Sequence, residues 1–370
     1  MEIERRSPQM SVTKEQILEQ LKKVKDPELH RDIVTLNMVK NIAVCDGVAS
    51  IKIELTTPAC PMKDVIQKDV TAAVMALPGM TQVNIEFTAN VAQKAPQQRA
   101  AESNPLPNVK HIIAVGAGKG GVGKSTVAVN LAVGLAREGA AVGLMDGDVY
   151  GPSLPTMLGI GGKQPVADGS RLLPFEVHGV SAMSIGSLVP AEKPLIWRGP
   201  MAQGAFKQLI EQTEWGNLDY LIIDLPPGTG DVPLTMAQML PLTGAVVVCT
   251  PQRVAQDDAR RAIRMFQQLQ VDVLGVVENM SYFIGDDGKE YDIFGKGGAA
   301  LMAEDMGVHL LGTLPINMAI RKNSDSGNPT ANFEGDPLLA KEIMDFVRSV
   351  AGQVSVKALG ASNVPTLSIS

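Results

Sequence analysis

Apolar residues in the first part of this chain recur at helical spacing and in strand-like runs, and later in a longer series of continuous runs. Between Ser11 and Val24, the residues Ile17, Leu21 and Val24 share one helical face, which predicts a short amphipathic helix. Met38–Cys45 and Val48–Leu55 read as strands joined at Asp46-Gly47, a strong hairpin signal. Pro61–Leu77 predicts a second helix, with Pro61 suited to its first position. Thr81–Phe87 predicts a third strand.

From His111 onward the pattern changes. The apolar runs are His111–Val115, Ala141–Met145, Val180–Ile185, Tyr220–Asp224, Ala245–Cys249, Val273–Val277 and His309–Leu314. Helical patterns separate them. Short continuous runs suit strands buried on both faces, and their alternation with helices predicts a doubly wound, mostly parallel α/β sheet. Asp336-Pro337 opens a last helix reaching about Val350, with Asp at the N-cap and Pro at N1. The expected organisation is a small α/β domain over 1–92, a Gln/Pro/Ala-rich linker over 93–108, a large α/β domain over 109–355 and a flexible polar tail over 356–370.

Composition narrows the classes. The 370 residues are 45% hydrophobic and 19% charged, ordinary for a globular protein. A net charge of −6 and the lack of any long Lys/Arg run argue against nucleic-acid binding. No apolar run approaches the roughly 18 residues of a membrane span, and the polar N-terminus carries no apolar leader. Cys45, Cys60 and Cys249 lie far apart and form no disulfide framework, so a cytoplasmic location is expected. The four histidines show no ligand spacing.

The chemistry concentrates at Gly116–Thr126. Gly118-Lys119-Gly120-Gly121-Val122-Gly123-Lys124-Ser125 fits G-x-x-x-x-G-K-[ST] between a predicted strand and a predicted helix. The glycines let backbone N–H groups wrap an anion, and the helix N-terminus adds partial positive charge. Lys124 can reach the β- and γ-phosphates of ATP, Ser125 can ligate Mg²⁺, and Thr126 completes the loop. Two acidic motifs end other strands. Asp224 closes an apolar strand and is expected to hold Mg²⁺. Asp148 of Asp146-Gly-Asp148 is expected to orient the attacking water, with Asp146 supporting the loop or metal. Gly228-Thr-Gly-Asp231 suits a loop sensing the γ-phosphate. Asn279 could read the adenine edge or simply form a turn.

The paired lysines of Lys119–Thr126 resemble the deviant Walker A loop of dimeric ATPases. In that class the early lysine, here Lys119, reaches across a homodimer to the partner's nucleotide. Further motifs extend the likeness: Asp146–Pro155, Ile196–Met201, Asp219–Asp231, Glu278-Asn-Met-Ser281 and Asp292-Ile-Phe-Gly295. Together they resemble the Mrp/ApbC family of ATP-dependent iron–sulfur cluster carriers. The first domain resembles the MIP18 type through Asp26-Pro-Glu-Leu29, Asp32-Ile-Val34 and Thr56–Pro61. The resemblance implies ATP and Mg²⁺ as cofactors, a [4Fe–4S] cluster as cargo, and apo iron–sulfur clients and assembly factors as partners. Many members carry C-x-x-C after the Asn-Met-Ser motif, where Tyr282–Tyr291 here has no cysteine. Cys60 is then the candidate thiol, placed before a helix N-terminus that favours thiolate. Cys45 and Cys249 read as packing residues. Besides a carrier, a client adaptor without its own cluster and a positioning ATPase of the partition or septum-site kind stay open. Neither the acidic chain nor its tail offers the basic surfaces a positioning ATPase uses on DNA or lipid.

Overall fold

The structure is a computed structural model that describes residues 12–45, 47–91, 104–188, 199–285 and 287–360. Ser11, Asp46, most of the expected linker, Ile196–Arg198 and positions 361–370 of the tail lie outside the described residues. Contacts divide the chain into two units, Met1–Ala92 and Gln93–Ser370.

In the first unit, α1 (Lys14–Leu21) starts on a capping box in which Thr13 and Gln16 satisfy each other's backbone N–H groups. Strands β1 (Val39–Cys45) and β2 (Val48–Leu55) pair antiparallel, and β3 (Gln82–Ala89) joins β2 in parallel. Helix α2 (Lys63–Met75) makes the crossover between β2 and β3. Ile17, Leu21, Ile51, Ile53, Ile66 and Val70 are fully buried between sheet and helices. Pro61 is not at N1 as expected. A turn from Cys60 to Lys63 closes first, and Met62 caps the helix.

The second unit is built on an eight-stranded sheet. Its strands are β4 (Val109–Gly116), β5 (Val142–Asp146), β6 (Phe175–Val177), β7 (Val180–Ser184), β8 (Leu218–Asp224), β9 (Gly244–Cys249), β10 (Val273–Glu278) and β11 (Leu310–Thr313). Their order is β11-β10-β9-β4-β8-β5-β7-β6, all parallel except the edge strand β6. Helices α3 (Lys124–Arg137) and α10 (Pro337–Gly360) cover one face. The other is covered by α5 (Gly199–Gln212), α6 (Asp231–Gln238), α7 (Arg253–Gln268) and α8 (Gly298–Met306), with α4 (Leu154–Met157) and α9 (Met318–Asp325) beside the sheet. Both faces being covered explains why the strands are continuously apolar.

The last helix passes its expected end at Val350 and continues to Gly360. Val350, Ala351, Val354 and Ala358 extend its buried stripe, so packing overrides the helix-weakening Gly352. Close approach of α3 and α10 depends on Gly134, where a Cβ would come within 2.5 Å of Val347 Cγ2. No helix among the described residues is long and apolar enough to cross a membrane.

Candidate nucleotide site

Parallel strands in one sheet deliver their carboxyl ends to one edge, where ligands of such folds bind. Here that edge brings together Gly116, Asp146, Ser184, Asp224 and Glu278. Asp224 pairs in register with Asp146 on one side and Val115 on the other.

The glycine loop joins β4 to α3. Gly121 and Gly123 have φ of 80° and 82°, a left-handed conformation that side chains rarely adopt. Two neighbours press on the loop. A Cβ at Gly118 would stand 2.0 Å from the Asp258 carbonyl of α7, and one at Gly123 would stand 2.1 Å from Asn279 Nδ2. Asn279 is buried and donates from that nitrogen to the Val122 carbonyl at 2.8 Å. Asn279 therefore braces the loop itself, a role its sequence position did not suggest. Gly228 N–H donates to the Ala117 carbonyl at 2.8 Å, tying the loop after β8 to the same segment.

Lys124, Ser125, Asp148 and Asp224 converge. Lys124 Nζ donates to Asp224 Oδ1 at 2.6 Å and lies 3.5 Å from Asp148 Oδ2. Ser125 Oγ donates to Asp224 Oδ2 at 2.5 Å. Asp224 is fully buried, which raises its carboxyl; the bonded Lys124 ammonium and the Ser125 hydroxyl oppose that rise. Lys119 does not enter this cluster. It is partly exposed and has no ion-pair partner among the described residues. Thr126 is also partly exposed, and its carbonyl accepts from Asn130 Nδ2.

Asp146 makes its hydrogen bonds outside the glycine loop. Oδ1 accepts the Asp148 N–H at 3.1 Å, and Oδ2 accepts from Leu154 N–H at 3.3 Å and Ser184 Oγ at 2.9 Å. Its carboxyl is pushed up to about 7 by burial and then by Asp224. These hydrogen bonds make Asp146 the anchor of the 147–154 loop, while Asp224, its neighbour in register, and Lys124 lie close enough to act on its carboxyl.

A bound Mg²⁺ fits this donor set. It takes oxygen ligands, and in phosphate sites it uses few protein groups beside phosphate and water. The Ser125 hydroxyl and Asp224 carboxylate, already in contact, supply such a pair.

The thiols differ from expectation. Cys60 stands before α2, yet it is buried, and burial pushes its thiol up to about 11, with Glu28 and Asp26 adding to the rise. The N–H groups of Met62 and Lys63 pull the other way but do not prevail. Helix proximity alone suggested a thiolate; desolvation overturns it. Cys249 is buried at the end of β9, its thiol pushed up to about 12 by burial and Glu278. Cys45 is exposed. The cysteine-free segment forms a short ribbon, Phe283–Ile284 with Glu290–Tyr291, and Tyr282 hydroxyl donates to Glu342. Among the described residues no group of three or more His, Cys, Asp or Glu side chains is placed to hold a metal ion.

A glycine loop at a strand–helix junction, an adjacent lysine–serine pair and buried aspartates on neighbouring strands define a P-loop nucleotide-binding protein. Residues 108–351 match the model of the NUBPL iron-transfer P-loop NTPase family, and residues 14–87 match that of iron–sulfur cluster assembly proteins. The chain belongs to the iron-transfer P-loop NTPase family. It is 50% identical over 345 residues to an iron–sulfur cluster carrier protein of Deinococcus radiodurans, covering 93% of this chain and 96% of that one. A carrier protein of the same description from Synechocystis is 46% identical, with 94% and 99% covered. Among solved structures, a nucleotide-binding protein of Archaeoglobus fulgidus in complex with ADP aligns with 37% identity and a TM-score of 0.57. That alignment covers 64% of this chain and 93% of the other.

Proposed function

We propose that the protein is a cytoplasmic, homodimeric ATPase that carries an iron–sulfur cluster and passes it to apo client proteins, with hydrolysis coupled to transfer. The supporting observation is the convergence of Lys124, Ser125, Asp148 and Asp224 at one sheet edge. The loop N–H groups and Lys124 bind the phosphates of ATP, which requires Lys124 to exchange its Asp224 contact for phosphate oxygen. Ser125 and Asp224 hold Mg²⁺, which neutralises charge developing on the phosphates. Asp148, beside Lys124, orients the attacking water. Lys119, partly exposed and unengaged in its own protomer's cluster, acts on the nucleotide of a second copy.

The cargo ligands are a separate matter. Cys60 is the proposed thiol in the first unit, and its raised proton affinity means that cluster binding displaces a proton. The same observation, with the missing C-x-x-C, favours a second reading, a client adaptor without its own cluster. Anaerobic reconstitution with iron and sulfide, followed by transfer to an apo ferredoxin with and without ATP, separates the two. A carrier loads and transfers in an ATP-sensitive way; an adaptor binds no iron.

A further inference from the structure

Ser184 ends β7 and pairs in register with Asp146 at the end of β5. It is fully buried. Its hydroxyl accepts the Gly186 N–H at 3.0 Å and donates to Asp146 Oδ2 at 2.9 Å. A serine has a single proton to give, and here it goes to the carboxylate.

That bond orients the Asp146 carboxylate in the sheet edge. So oriented, Asp146 holds two points of the following loop, the N–H of Asp148 and the N–H of Leu154 at the start of α4. Asp148 is the first of those points. Its Oδ1 accepts the Gly151 N–H at 3.3 Å, and its Oδ2 lies 3.5 Å from Lys124 Nζ. Two nearby hydroxyls, Ser153 Oγ and Ser187 Oγ, are buried and make no hydrogen bond among the described residues. Of these three serines, Ser184 alone ties the loop to the sheet.

We infer that Ser184 is a positioning residue for ATP hydrolysis: through Asp146 it sets where Asp148 stands. The inference rests on the proposed role of Asp148 in orienting water. Without the Ser184 hydroxyl, a buried carboxylate loses one of its three hydrogen bonds and the loop loses its fixed seat. Among the described residues the glycine loop makes no hydrogen bond to Ser184 or Asp146, so the loss falls on turnover more than on phosphate binding.

The test compares wild type, Ser184→Ala, Asp148→Asn and the double variant in the full chain, reading kcat and KM for ATP hydrolysis. Asp148→Asn binds ATP as wild type and turns over about 100-fold more slowly, the scale of a lost general base. Ser184→Ala lowers kcat on the order of tenfold, as for one hydrogen bond to a charged group, with KM within about twofold of wild type. The double variant is no slower than Asp148→Asn alone, because both changes remove one function. Where Ser184→Ala does not fold, Ser184→Thr and Ser184→Val carry the comparison, being alike in shape and differing in the hydroxyl; Thr turns over faster than Val. Wild-type kcat in Ser184→Ala, a loss confined to KM, a Ser184→Ala loss that multiplies with Asp148→Asn, or equal Thr and Val turnover overturns the positioning role. Normal turnover in Asp148→Asn instead overturns the reading of Asp148, and the inference with it.

Discussion

Lys124 Nζ stands 2.6 Å from Asp224 Oδ1, and the two side chains are 7% and 0% exposed. The lysine proposed to bind phosphate is thus neutralised by the acid proposed to share Mg²⁺. On the proposed roles, nucleotide entry breaks a buried ion pair and replaces it, on the lysine side with phosphate and on the aspartate side with the metal. Breaking such a pair from one side alone leaves an uncompensated buried charge.

That relationship predicts the behaviour of Lys124→Ala. ATP affinity measured by calorimetry falls at least about 100-fold, because the charge that reaches the phosphates is gone. The nucleotide-free protein also loses about 3–5 kcal/mol of stability, since Asp224 is stranded. Adding Asp224→Asn recovers part of that stability but none of the affinity. Unchanged ATP affinity in Lys124→Ala would remove the phosphate-binding assignment.

Lys119→Ala separates the two lysines. Lys119 is partly exposed and unpaired among the described residues, so its loss leaves melting temperature and ATP binding near wild type. Hydrolysis falls by about 10²-fold or more if the lysine stabilises charge on a partner's nucleotide. The dependence of turnover on protein concentration is the companion measurement. Wild-type turnover in Lys119→Ala excludes the role.

Gly123→Ala tests the brace on the glycine loop. The added Cβ meets Asn279 Nδ2 at 2.1 Å, and the residue is held at a φ of 82°. Both costs fall on one site, so the variant is destabilised by about 1–3 kcal/mol and binds ATP at least tenfold more weakly. Asn279→Ala relieves the clash but removes the Val122 bond, so the double variant regains stability without regaining full affinity. A Gly123→Ala protein with native melting and affinity would show that the loop is free of Asn279.

Thiol chemistry follows burial. Alkylation at pH 8 proceeds at exposed Cys45 while Cys60 and Cys249 react slowly, their thiols held up to about 11 and about 12. The pH dependence has a definite sign. Cys60 keeps its proton in the folded state over a range in which the unfolded chain, near its ordinary value of 9.0, has lost it. Stability of the first unit therefore falls as pH rises from about 9 to about 11, and Cys60→Ser flattens that fall. Urea titrations across this range, with mass mapping of the alkylated residue, check both statements. Rapid alkylation of Cys60 at pH 7 would contradict the burial argument.

The chain's local patterns determined much of this protein. Gly121 and Gly123 announce a backbone that wraps an anion, because the left-handed conformations they permit are local properties. The continuous apolar runs announce strands covered on both faces, because burial writes itself into hydropathy. The placement of Asp146 and Asp224 was legible because an acid at the end of an apolar strand of a parallel sheet must lie at the ligand edge. The tertiary structure decided what those groups touch. Asp146 meets Ser184, and Asp224 meets Lys124, only because the strand order is β4-β8-β5-β7, which periodicity does not encode. Asn279 reaches the glycine loop from the end of β10, across β9 from β4. The Cys60 thiol was misjudged for the same reason: a helix N-terminus can be seen from nearby residues, but desolvation depends on everything packed around the sulfur. The end of the last helix at Gly360 likewise reflects the apolar stripe buried beside α3, where tertiary packing outweighs the local signal of Gly352.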